Sequence, residues 1–312
     1  MEKMYYIPSQ QASLAATLHI PNAPSKNEKF PVVVICHGFV GSRIGVNRLF
    51  VKAANHFASL GFAVLRFDYE GCGESSGIYG TYGLDRFIEQ TIHVIDFVEK
   101  LPFIDKHELY LLGHSLGGAV ATLTAVRDDR VKNLAIWGAV GRPFEDIAAI
   151  VGKEGLEEAE SSQYVDYEGY SLTKTFFRSL EQYTPLQEAK SFTGDVFVAH
   201  GTEDEVISPS YACLYEKSFK KRANSVEKSL IIGGNHTFSS ICHSTELFQQ
   251  TGEWLERQRK LNDDRKKRLF NERVSKRKRR LTGQLGQPSF CAPGMGVIYR
   301  VKVPSCEGRS SS

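Results

Sequence analysis

The chain has 312 residues, 41% hydrophobic and 11% aromatic, which is ample for a real core in one large or two ordinary domains and excludes a disordered or fibrous class. Its net charge of +3 is unevenly spread: residues 260–280 carry eleven Lys/Arg against three Asp/Glu, so the body before them is mildly acidic and the tail strongly basic. No run of about 18 apolar residues occurs, and Met1-Glu2-Lys3-Met4 opens no apolar leader, so a cytoplasmic protein that neither spans nor enters the membrane is expected.

Residues 13–20 alternate well enough for a strand that ends at Pro21. The β-branched run 31–36 reads as a central strand buried on both faces, followed by the loop His37-Gly38-Phe39. Residues 46–60 place Phe50, Ala53, Ala54, Phe57 and Leu60 at helical spacing, and Gly61 ends that helix. A strand over 62–67, a glycine-rich loop over 68–77 and a helix over 84–101 follow. The short apolar run 109–112 leads into Gly113-His114-Ser115-Leu116-Gly117 and then into good helix material over 118–126. An apolar run over 131–140 comes next, and 142–190 then breaks the rhythm with a polar, aromatic-rich stretch holding two Glu-rich helical pieces. The pattern resumes with a strand over 195–199, a helix over 209–221, a strand over 228–232 and a closing helix over 245–257. Strands alternating with helices predict an α/β fold with a mostly parallel sheet covered on both faces.

Strand, tight turn with a serine at its tip, then helix is the setting that gives G-x-S-x-G its chemical meaning. Ser115 is therefore the candidate nucleophile. Phe39, Asp68, Ser115, Asp204 and His236 all fall just after strands, at the sheet edge where open α/β proteins bind ligands. His236 is placed to take the serine proton and Asp204 to hold the imidazole. The N–H groups of Phe39 and Leu116 are the candidate oxyanion donors, worth roughly 3–4 kcal/mol each where such donors have been removed. Several rivals stand beside these residues. His243 lies at the start of the closing helix, Glu203 and Glu205 flank Asp204, and Asp68 precedes the serine in the chain. His37 and His114 suit loop packing better than proton transfer, and Cys72 lacks the strand–turn–helix setting. The six cysteines show no C-x-x-C spacing, so neither a disulfide framework nor a metal site is expected.

With the motifs His37-Gly38-Phe39, Arg66 to Ser75, Gly113 to Gly118, His200-Gly201-Thr202-Glu203-Asp204 and Asn235-His236 in this order, the chain resembles the α/β-hydrolase superfamily over about residues 10–258. Within it the chain looks like the bacterial cinnamoyl (feruloyl) esterase-like branch, although those enzymes commonly carry Gln where Leu116 stands here. The resemblance implies an α/β-hydrolase domain over 1–258 with a small cap inserted at about 143–190. It implies a serine carboxylesterase that needs no metal or cofactor and takes small acyl or hydroxycinnamoyl esters. Tyr164, Tyr167, Tyr170, Phe176 and Phe177 of the cap are candidates to line the pocket or to glue the cap to the core. The same triad would serve a peptidase or an acyltransferase. Residues 259–312 fall outside the resemblance and read as a basic, flexible extension, the one part where a polyanion such as nucleic acid would bind; the same fold without catalysis, binding through that tail, is the remaining alternative. The oligomeric state is left open.

Overall fold

The computed structural model describes residues 1–22 and 29–284. Two compact units are distinguished, Met1–Asp263 and a second that begins at Asp264. The first unit opens with β1 (Glu2–Ser9), β2 (Ala12–His19), β3 (Phe30–Cys36), a short 3-10 turn over Val46–Arg48, α1 (Leu49–Ser59), β4 (Ala63–Phe67) and α2 (Leu84–Glu99). It continues with β5 (Ile104–His114), α3 (Leu116–Arg127), β6 (Asn133–Trp137), α4 (Pro143–Ser161), β7 (Tyr164–Tyr167), β8 (Tyr170–Thr173), α5 (Lys174–Leu180) and α6 (Pro185–Glu188). It closes with β9 (Asp195–Gly201), α7 (Ser210–Phe219), β10 (Ser225–Ile231) and the start of α8 (Ile241–Gln284).

Eight strands form one sheet in the order β1-β2-β4-β3-β5-β6-β9-β10. The β1–β2 and β2–β4 pairs are antiparallel, and every pair from β4 onward is parallel. The alternation along β3 explains the layering. Val32, Val34 and Cys36 join one apolar cluster with residues of α2 and α3, while Val33 and Ile35 join another with α1 and Trp254 of α8. Both faces of the strand are therefore covered, which is why its sequence is a continuous apolar run rather than an alternating one.

The structure departs from the sequence reading in three places. β1 was not expected; it is an edge strand whose Glu2, Lys3, Met4 and Tyr6 are exposed or half-exposed, so its pattern is too polar to announce burial. The cap segment contains the β7–β8 hairpin as well as helices, turning at Glu168-Gly169 with both residues at positive φ. The closing helix does not stop at 257 but runs on through the basic segment as far as Gln284. Between Glu253 and Thr282 the chain has neither Gly nor Pro and is rich in Arg, Lys, Glu and Leu, all good helix formers. Residues 285–312, the rest of that expected extension, lie outside the described residues. Among the described residues no helix is long and apolar enough to cross a membrane.

One buried ionic cluster ties the loops at the carboxyl edge of the sheet. Asp68, fully buried after β4, pairs with the Arg43 guanidinium, accepts the Arg43 N–H on Oδ1 and accepts the Glu74 N–H on Oδ2 at 3.0 Å. Arg43 also pairs with exposed Glu74, and Arg66 donates to the Arg43 carbonyl at 2.6 Å. Removing one member of a buried pair strands the other charge, so Asp68→Ala should cost roughly 3–5 kcal/mol in urea unfolding. Glu74→Ala, which removes the 59% exposed partner, should cost less than about 1 kcal/mol in the same assay.

Candidate active site

Ser115 sits between β5 and α3 with φ 57° and ψ −126°, a strained conformation for a residue with a side chain. Glycine on either side makes the turn possible. A methyl group on Gly113 would lie 2.1 Å from the Gly117 carbonyl oxygen, and one on Gly117 would lie 2.3 Å from the carbonyl oxygens of Cys36 and His37. The serine backbone is pinned as well: its N–H donates to Trp137 O at 3.0 Å, and its carbonyl accepts from Gly118 at 2.9 Å and Val140 at 3.1 Å.

Three side chains from three loops are joined in series. His236, in the loop after β10, has Nε2 3.0 Å from Ser115 Oγ and Nδ1 2.8 Å from Asp204 Oδ2. Asp204 follows β9, and its Oδ1 accepts the N–H groups of Val206 at 3.0 Å and Ile207 at 2.8 Å. Burial opposes ionisation of Asp204, but hydrogen bonds from His200 and His236, the electrostatic effect of His236 and the Ile207 N–H outweigh it and hold the carboxyl well below its usual range. A carboxylate only accepts, so the His236 proton sits on Nδ1 and Nε2 is free to accept from the serine hydroxyl. Glu203 and Glu205 are exposed, so of the three adjacent acids only Asp204 turns inward.

The loop after β3 faces the serine. A methyl group on Gly38 would lie 2.9 Å from Ser115 Cβ. His37 Nε2 accepts the Tyr69 N–H at 3.0 Å, so its proton is on Nδ1, which donates to Gly38 O at 2.9 Å. Gly38 O also accepts the Gly41 N–H at 3.2 Å. With the Gly38 carbonyl committed to that side, the planar trans peptide turns the Phe39 N–H the opposite way. Leu116 is the first residue of α3, where N–H groups have no partner within the helix. Neither N–H has an acceptor among the described residues.

A cavity of about 530 Å³ opens beside Ser115 and His236. Phe39 and Tyr170 line it on the cap side, while Val46 of the 3-10 turn and Leu49 and Phe50 of α1 line it opposite. Of the cap aromatics expected at the pocket, Tyr170 alone lines this cavity. Tyr167 packs on the Phe39 ring at 5.5 Å, and Phe176 is fully buried behind Phe39 at 6.0 Å, where it glues the cap to the core. Tyr164 is 50% exposed because β7 alternates, turning Val165 inward and Tyr164 out. Val46, Leu49 and Phe50 fall within the stretch 46–60 whose spacing predicts a helix; their place after the loop that follows β3 is the signal for the cavity.

Two further histidines brace the constellation. His200 Nε2 lies 3.0 Å from both Asp204 Oδ2 and Ile207 O, the first residue of its motif bonding the fifth. His114 donates from Nε2 to the His236 carbonyl at 2.8 Å. The rival nucleophile Cys72 is buried, and that burial pushes its thiol well up, against thiolate formation. His243 lies in α8 beside Gly233. Among the described residues no group of three or more His, Cys, Asp or Glu could hold a metal ion.

The family described as "alpha/beta hydrolase fold" matches residues 31–152. Est1E of Butyrivibrio proteoclasticus, solved with ferulic acid bound, superposes with a TM-score of 0.70 at 25% identity, covering 81% of this chain and 98% of that one. The chain is an α/β hydrolase in fold. An uncharacterized 31.7 kDa protein of Escherichia coli is 40% identical to this chain over 119 residues, which are 38% of this chain and 40% of that relative's length. The lysophosphatidylserine lipase ABHD12 of Xenopus tropicalis is 34% identical over 93 residues, 30% of this chain and 22% of the lipase. Mouse palmitoyl-protein thioesterase ABHD10 is 24% identical over 225 residues, covering 64% and 68% of the two chains. The fold and these relatives support a hydrolase.

The buried imidazole of His114 yields a pH signature. Burial, reinforced by neighbouring His236, lowers its pKa from 6.5 to about 3. Below about 6.5 the unfolded chain therefore binds a proton that the folded chain refuses. The contribution of this site to stability is complete above that pH and is lost as the pH falls toward 3. His114→Gln should flatten the fall in stability between about pH 6 and 4 by up to about 1.4 kcal/mol per pH unit, read from urea unfolding at each pH.

Proposed function

We propose that this hydrolase is a serine carboxylesterase working through an acyl-enzyme, with Ser115, His236 and Asp204 as its triad. The observation that carries the reading is the unbroken series Asp204–His236–Ser115, with bonds of 2.8 and 3.0 Å, built on a strained serine at the tip of a strand–helix turn. Ser115 Oγ attacks the ester carbonyl carbon as its proton passes to His236 Nε2, and the new imidazolium is stabilised by the Asp204 carboxylate. The negative oxygen of the tetrahedral intermediate takes hydrogen bonds from the Phe39 and Leu116 N–H groups. Collapse breaks the ester C–O bond, and His236 returns its proton to the departing alcohol. A water, deprotonated by His236, then attacks the acyl-Ser115 carbonyl, and the acid leaves with Ser115 restored.

Small acyl and hydroxycinnamoyl esters are the proposed substrates, supported by the likeness to Est1E, whose structure holds ferulic acid. Free, buried Cys36 and Cys72 suit a reducing compartment, and we place the protein in the cytoplasm on that ground. The test is hydrolysis of p-nitrophenyl acetate by the native chain and by Ser115→Ala, with folding checked by circular dichroism. Loss of at least about 10⁴-fold in kcat/KM is expected. A folded variant that keeps native turnover would overturn the assignment.

A further inference from the structure

The segment 40–48 holds three non-glycine residues at positive φ, at its two ends, and forms one wall of the cavity. Val40 has φ 42°, Asn47 52° and Arg48 62°, and Gly45 has 70°. A β-branched residue in the left-handed region is a genuine outlier, and such strain persists only where the surroundings enforce it. Here they do. Arg43, midway along the segment, is anchored through its N–H, carbonyl and guanidinium to Asp68, Arg66 and Thr17. Gly45 lets the Phe50 ring lie against the segment; a methyl group there would be 2.8 Å from Phe50 Cδ2. The clamped backbone leads to a wall made of Val46, Leu49 and Phe50.

This arm differs in chemistry from the cap side. No Lys, Arg, Asp or Glu lines the cavity among the described residues. Its hydroxyls on this side are few: Ser42 Oγ accepts the Ile44 N–H at 3.3 Å, and Thr237 Oγ1 bonds Ser239 Oγ at 2.9 Å. An ionised substrate group would lose water here without meeting an opposite charge. Leu49 and Phe50 are buried at the floor, whereas Val46 is 58% exposed at the mouth. The cap-side aromatics, by contrast, pack on one another, with Phe39 against Tyr79, Tyr167 and Phe176. The alcohol departs before water enters, but the acyl group stays attached to Ser115 through both steps and needs a seat throughout.

We infer that the arm formed by Val46, Leu49 and Phe50 seats an uncharged aliphatic acyl chain, and that Val46 at its mouth sets the chain length accepted. The inference rests on Ser115 being the nucleophile. The cavity of about 530 Å³ falls within the ~300–1,000 Å³ usual for small-ligand sites. Each methylene that the arm buries should raise kcat/KM roughly fourfold until the arm is filled.

The experiment measures kcat/KM for p-nitrophenyl esters from acetate to decanoate, and for methyl ferulate, with the native chain, Val46→Trp and Ser115→Ala. The exposed position of residue 46 makes the tryptophan compatible with folding, which a thermal midpoint checks. The native chain should prefer octanoate to acetate by at least about tenfold, and Val46→Trp should lower that ratio by at least about tenfold and move the optimum to shorter chains. A chain-length profile that is flat, or that is the same in Val46→Trp, would overturn this inference alone while Ser115→Ala still abolished turnover. Preference for methyl ferulate over every aliphatic ester, undiminished in Val46→Trp, would overturn it likewise. Turnover persisting in folded Ser115→Ala would overturn the nucleophile assignment and this inference with it.

Discussion

The backbone of Ser115 is the constraint around which the rest is arranged. A non-glycine residue at φ 57° and ψ −126° holds its conformation only if its neighbours leave no alternative. The neighbours are β5, α3 and the end of β3, brought so close that the space at Gly113 and Gly117 is filled by carbonyl oxygens. A parallel sheet supplies that closeness, because β3 and β5 run side by side in register from Val32–Leu109 to Cys36–Gly113. The strain is therefore offset by the packing of the central strands, far more apolar area than the turn itself contains. The side chain is left at the carboxyl edge, where the loops after β9 and β10 bring Asp204 and His236.

A second layer of order holds the loops in place. Asp68 and Arg43 form a buried ionic knot between the loop after β4 and the loop after β3, while His37 links the same two loops through Tyr69. Each bond acts on the direction of a peptide group rather than on the reacting atoms. The His37–Gly38 bond turns one carbonyl away, and the Arg43 anchor holds the strained wall beyond it. A buried ion pair often contributes little net stability, because desolvation consumes most of its attraction. Here it fixes Arg43 in the same loop that holds Val40 in the left-handed region.

Much of this was legible in the residues, and the reasons are particular. The β3 run declares a strand buried on both faces, and Gly113 to Gly117 declares the serine turn, because few residue types tolerate either setting. The order of Ser115, Asp204 and His236 along the chain places them on one sheet edge once the alternation is seen. β1 was not legible, because an edge strand buries one face and its other face looks like any polar loop. The hairpin from Tyr164 to Thr173 was obscured by the Glu-rich helix before it, and its strands are four residues each. Which cap aromatic meets the cavity could not be read from composition, since Tyr164, Tyr170 and Phe176 differ in direction and not in kind. Val46, Leu49 and Phe50 obey a helical apolar spacing, which does not distinguish a core face from a pocket wall.

The electrostatics of the site follow from which imidazoles can accept a proton. His37 and His114 both have their pKa lowered, chiefly by burial. Each also has its ring N–H committed to a carbonyl oxygen, His37 to Gly38 and His114 to His236. They hold shape without carrying charge at neutral pH. Asp204 is the reverse case: burial opposes its charge, yet two imidazole donors and two backbone N–H groups keep it ionised. Its oxygen Oδ2 faces His236, the one ring that also reaches the serine. His200 and His236 share that carboxylate oxygen, and of the two only His236 spans from Asp204 to Ser115. The wall of Val46, Leu49 and Phe50 adds no competing charge, so the attraction between His236 and Asp204 acts across a site with little else to screen it.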